Sequence, residues 1–110
     1  MGADRPVRGL AAHLRRALKA LAHNHGEVLR HDQTAWASVT FAGTRHRIAL
    51  RYAGDQAVAG GEHLIAELSD HEFTVPGQLV ASAEVIAAEH TMLPAPELTV
   101  TCELLLLEDA

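Results

Sequence analysis

Apolar residues in the first part of the chain fall at Val7, Leu10, Ala11, Leu14, Ala17, Leu18, Leu21 and Ala22. Steps of three and four residues gather them on one stripe, so the pattern predicts an amphipathic helix. Asp4 with Pro6 suits its start, and Asn24 or Gly26 its end. The period then drops to two. Glu27–His31 reads as a short strand that turns at Asp32-Gln33. Ala35, Ala37, Val39 and Phe41 alternate with Thr34, Trp36, Ser38 and Thr40. Beyond Ala42-Gly43, Thr44, His46, Ile48, Leu50 and Tyr52 alternate with Arg45, Arg47, Ala49 and Arg51. Alternation on both sides of a two-residue, glycine-containing turn predicts an antiparallel hairpin with Val39 opposite His46 and Ser38 opposite Arg47. The apolar residues then share one face, and Trp36 shares the other with the arginines.

The helical period returns at Val58, Gly61, Leu64, Ile65 and Leu68, with Asp55 as the expected cap. Gly60 and Gly61 each cost roughly 1 kcal/mol against alanine inside a helix, which fits a helix backbone pressed closely on a sheet. Phe73-Thr74-Val75 then Pro76-Gly77 reads as a short extended piece and a turn. Leu79 to about His90 and Leu98 to Leu107 predict a long hairpin across Leu93-Pro94-Ala95-Pro96. In its second strand Leu98, Val100, Cys102, Leu104 and Leu106 share one face, while Leu105 and Leu107 end the other. The expected fold is α+β: an antiparallel sheet of four to five strands with two helices packed on one face, in the order α-β-β-β-α-β-β, as one domain over residues 1–110.

Composition narrows the class of protein. At 48% hydrophobic and 21% charged the chain is globular rather than disordered. A chain of 110 residues buries roughly 65% of its unfolded surface and holds together without a staple. Cys102 is its one cysteine, so no internal disulfide forms, and a cytoplasmic, reducing compartment is the simpler expectation. Arg8, Arg15, Arg16 and Lys19 interrupt the first helix, which argues against a signal peptide or membrane span.

Charge changes the picture more. The net charge of −5 is divided along the chain, with all nine Lys and Arg residues at or before Arg51, among only three acids. Everything after Arg51 carries eleven acids and neither Lys nor Arg. Such asymmetry marks an anionic partner for the basic half, or two halves that neutralise each other within one fold.

Motifs for chemistry are missing. The eight histidines include His23-x-His25 and two beside glutamates, His63 and His71. No HExxH, CxxC or second cluster completes a metal site, so no metal or cofactor is expected. His23 and His25 suit the end of the first helix, where a histidine meets the last carbonyls. Cys102 falls mid-strand on the core face, and Ser69 and Ser82 lack a nucleophile-elbow pattern. His46 on an apolar face reads as a hydrogen-bonded core histidine. The order α-β-β-β-α invites comparison with double-stranded RNA-binding domains, but Asp55–Gly61 offers no base at the start of the second helix.

Two surfaces remain. Trp36 with Arg45, Arg47 and Arg51 forms a candidate ligand-binding face, for an anion or a single strand of nucleic acid. The competing reading is cross-strand pairing of these arginines with Glu84, Glu97 or Glu103. Leu105 and Leu107 form a candidate interface, covered in a symmetric dimer. The expectation is a small non-enzymatic binding or assembly module that pairs with a copy of itself, with no membrane partner. The alternatives are a small enzyme or ligand-binding protein with a pocket between helices and sheet, using His46, Tyr52 or a glutamate, and a nucleic-acid binder using the Trp36 face.

Overall fold

The computed structural model describes residues 4–108, with side chains from Gly9 onward. Its elements are α1 (Asp4–Leu21), β1 (Glu27–Ala37), β2 (Ala42–Ala53), α2 (Asp55–Glu67) with a closing 3-10 turn (Leu68–Asp70), β3 (Gln78–Thr91) and β4 (Glu97–Glu108). The strands form one antiparallel sheet in the order β1-β2-β4-β3. The α+β class and four antiparallel strands agree with the sequence pattern. The side chains of Asp4, Pro6 and Val7, expected to start and line the first helix, lie outside the described residues.

The two central strands carry the core because both alternate strictly. Ile48, Leu50 and Tyr52 from β2 and Leu98, Val100, Cys102, Leu104 and Leu106 from β4 are each at most 3% exposed. Leu14, Leu18 and Ala22 from α1, with Val58, Leu64 and Leu68 from α2 and its turn, cover them in one cluster. Full burial of such side chains contributes about 1.5–3 kcal/mol each. Both helices therefore lie on this inner face.

The first half departs from expectation in two places. Glu27–His31 and the residues after it form one strand rather than two, so β-β rather than β-β-β precedes α2. As an edge strand, β1 exposes nearly every side chain, and its polar Asp32-Gln33 need not mark a turn. The hairpin turn lies at Ser38–Phe41, not Ala42-Gly43. Ser38 Oγ accepts from the amides of Phe41 (3.0 Å) and Thr40 (3.3 Å), and the Ser38 amide donates to the Phe41 carbonyl at 2.7 Å. His46 is consequently opposite Gln33 and Arg47 opposite Asp32, instead of Val39 and Ser38. This slip is by an even number of residues, so each side chain keeps its face. Gly43 is a strand residue whose missing Cβ leaves room for the Leu106 carbonyl of β4.

The helix ends differ in detail as well. Gly54, not Asp55, is the residue that precedes α2, and Asp55 stands in its first turn, favourable to the helix dipole. His23 (φ 57°) and Asn24 (φ 67°) turn the chain out of α1 in the left-handed region. The carbonyl of Leu21 is met by His63 of α2, whose Nδ1 donates at 2.7 Å, with the His23 ring stacked on it at 4.4 Å. The histidine that serves the last carbonyls is thus His63 rather than His23 or His25.

Gly60 and Gly61 do mark close approach. A Cβ on Gly61 would come within 2.7 Å of the Tyr52 ring and 2.8 Å of Leu98, and one on Gly60 would run into the carbonyl of Ala22. Alanine is the better helix former by about 1 kcal/mol, yet overpacking against backbone costs typically 1–3 kcal/mol or more. Gly60→Ala should therefore destabilise the protein by about 2 kcal/mol, read as a lower urea midpoint at unchanged slope; a raised midpoint would refute this packing.

Candidate functional site on the open sheet face

Alternation in β2 sends Gly43, Arg45, Arg47, Ala49 and Arg51 to the outer face, away from the helices. The register brings Trp36 beside Gly43, Thr34 beside Arg45 and Asp32 beside Arg47. On the other side β4 contributes Leu107, Leu105, Glu103, Thr101 and Thr99 in the same rows, and β3 adds Leu79, Ser82, Glu84, Ala87 and Glu89. Trp36, Arg45, Arg47, Arg51, Leu105 and Leu107 therefore share one face, and among the described residues no element packs over it.

The arginines on this face differ in how they are held. Arg47 donates to Glu103 at 2.8 Å. Arg51 donates to Glu97 through Nε (2.9 Å) and Nη2 (3.3 Å), and to Glu27 at 3.2 Å. These hydrogen bonds raise the Arg51 pKa and hold the Glu97 carboxyl below its ordinary range. Arg30 pairs with Asp32 at 2.7 Å. Arg45 takes part in none of the ion pairs among the described residues. Pairs this exposed add little stability, so their main effect is to fix the arginine forks in place. Glu97 and Glu103 come from the distant acidic half, and Glu84 takes no part in these pairs.

Two shallow basins lie among these side chains. One, of ≈330 Å³, is lined by Arg30, Asp32, Arg47, Ala49 and Thr101; the other, of ≈250 Å³, by Asp32, Thr34, Arg45, Arg47 and Glu103. Each mixes carboxylates with its arginines, which blunts attraction for a free anion. Trp36 is half-buried at one end. Leu107 is 9% exposed and Leu105 half-buried, while Leu79 beside them in β3 is 58% exposed. The apolar end of this face thus includes Leu79, on an edge strand whose two register shifts obscure its alternation.

On the inner face the histidines assemble in a way that spacing does not reveal. Arg15 of α1 reaches His31 Nδ1 at 2.9 Å, His31 Nε2 lies 2.9 Å from His46 Nδ1, and His46 Nε2 lies 2.8 Å from Thr44 Oγ1. Arginine can only donate, so His31 Nδ1 is the acceptor and its proton resides on Nε2. His46 then accepts at Nδ1 and donates from Nε2 to the threonine. Both rings are neutral in this arrangement. Burial, and secondly His31, pushes His46 down to about 4, and burial with the Arg15 charge also lowers His31 against the opposing pull of Asp32. His46 is fully buried and, as expected, hydrogen-bonded in the core.

Other reactive groups are quiet. Cys102 is buried and its thiol pushed up to about 12 by desolvation, which leaves no thiolate for chemistry. Among the described residues no group of three or more His, Cys, Asp or Glu side chains is placed to hold a metal, and no helix is long and apolar enough to cross a membrane. No family model matches this chain, and no curated protein or solved structure is significantly similar to it.

The relay makes stability depend on pH. His46 binds its proton near pH 6.5 when unfolded and near 4 when folded, so between these values the unfolded state holds more protons. Stability should be flat above pH 6.5 and fall as pH drops towards 4, by on the order of 3 kcal/mol from His46. Urea unfolding at pH 7.5, 6 and 5 would show this slope, and His46→Leu should flatten it. A stability independent of pH across that window would contradict the neutral relay.

Proposed function

We propose that this chain is a small non-enzymatic binding and assembly module that works as a homodimer, two copies stacking their open sheet faces. The observation that carries this reading is the division of charge across that face. The β1–β2 half holds Arg30, Arg45, Arg47 and Arg51 against Asp32 and Glu27, whereas the β4–β3 half holds Glu84, Glu89, Glu97 and Glu103 and no base. A two-fold axis parallel to the strands lays the basic half of one copy over the acidic half of the other. An axis across the strands would oppose like charges. The same operation places Trp36 and Leu79 at matching ends, so the apolar end is covered by its own kind.

Size supports the same occupant. Four strands at about 4.8 Å spacing and about 3.3 Å per residue offer on the order of 750 Å², close to the roughly 800 Å² per partner of a stable interface. The nucleic-acid reading gains less support, because Arg47 and Arg51 already engage carboxylates and the basins between them are of mixed charge. A buried, unpaired cysteine suits the reducing cytoplasm. The reading needs no catalytic constellation.

Light scattering at low and high salt tests this directly. Twice the chain mass is expected, free of absorbance at 260 nm, with Leu105→Glu shifting the mass to one chain and Arg45→Glu weakening the dimer at least tenfold. A monomer at every concentration, or a dimer indifferent to Leu105→Glu, would sink the proposed interface. Salt-removable nucleic acid would favour the Trp36 and arginine face as an RNA or DNA platform instead.

A further inference from the structure

The helix side of the molecule stays accessible whether the chain is single or paired through its open sheet face. A groove of ≈440 Å³ runs between α1 and the β1–β2 side of the inner face, within the range of about 300–1,000 Å³ typical of small-molecule sites. Ala12, Val28 and Leu50 give it an apolar floor, and Arg15, Arg16 and Lys19 stand along its rim. After Asp4 the helix contains no acid. None of the ion pairs among the described residues involves these three cations. Arg15 and Lys19, four apart on one helical face, repel each other, a repulsion that a bound anion would reverse.

The Tyr52 hydroxyl is the one buried side-chain polar atom without a hydrogen-bond partner among the described residues. Its oxygen lies 3.4 Å from where a Cβ on Gly26 would stand, and Gly26, with His25, closes one end of the groove. Burial, and secondly Cys102, raises the Tyr52 pKa, so the phenol remains a donor. The hydroxyl lies beneath the groove rather than on it, since Tyr52 is not among the lining residues.

We propose that this groove binds a small amphiphilic anion, a carboxylate or phosphate monoester, with its head between Arg16 and Lys19 and its alkyl body over Ala12, Val28 and Leu50. An inorganic anion would leave the floor wet, with Val28 39% exposed. A nucleic acid would find neither tryptophan, tyrosine nor phenylalanine on the groove's surface for stacking. The rim is free of carboxylates, unlike the basins of the open sheet face, so charge favours an anion here rather than there.

Calorimetric titration of the intact chain with decanoate and with decyl phosphate, each below its micellar concentration, tests the proposal. One saturable site is expected, weakened by salt, and the two probes identify which head the rim prefers. The double variant R16A/K19A, altered at surface positions, should lose at least tenfold in affinity. The proposal is overturned if neither amphiphile binds, if decanol binds as tightly as decanoate, or if R16A/K19A binds like the native protein.

Discussion

The close approach of α2 to everything around it sets the geometry of the whole helix layer. With Gly61 over the Tyr52 ring and Leu98, the axis of α2 descends onto β2 and β4 further than any side chain would allow. Gly60 meets the carbonyl of Ala22 in the same turn, and His63, one turn along, donates to Leu21. The end of α1 is therefore pinned to α2 rather than to the sheet. From that anchor α1 crosses towards β1, where Leu14 and Leu18 reach the core while Arg15 reaches His31. The groove beneath Arg16 and Lys19 is the space this anchoring leaves between α1 and the edge strand. Two residues without side chains, costly to the helix in isolation, thus decide where both helices lie.

The elements most visible in the sequence are those buried on one face only. Leu98 to Leu106 and Thr44 to Tyr52 alternate because each pleat has a wet and a dry side, and the structure places them side by side at the centre of the sheet. The first part of the edge strand β1, Glu27 to Gln33, has no such signature. Its partner buries little of it, so its polar residues looked like a turn, and Ala42-Gly43 looked like a hairpin tip. Gly43 is there for a different reason, the nearness of the Leu106 backbone, which no local pattern announces. The grouping of Trp36 with Arg45 and Arg47 was nonetheless legible, because the register error was even and parity survives it. The ion pairs were legible as a class from the charge division, but the choice of Glu97 and Glu103 over Glu84 is a matter of register. The relay joins residues 15, 31, 44 and 46, and the groove draws on three separate segments. Such groups meet only through the fold, and spacing cannot show them.

A buried polar chain in so small a core has a thermodynamic cost. An apolar side chain at position 46 would pack against Ile48 and Leu104 without desolvating an imidazole. What makes the arrangement tolerable is that each donor has an acceptor, from Arg15 to Thr44, with no second proton required anywhere. Such a chain is stable in one protonation state, since a proton added to His31 would oppose two hydrogens at the Arg15 contact. Satisfaction and neutrality are therefore one condition.

Arg15 belongs to both the relay and the groove, and its chemistry lets it serve both. A guanidinium carries five N–H donors in a rigid fork. One is committed to His31, and four remain. A lysine at this position would offer a mobile point charge, able to reach His31 or the groove but without holding a fixed angle between them. The relay and the groove thus share a residue whose guanidinium is held at one end by His31. The same bond that completes the relay ties down one cation of the rim.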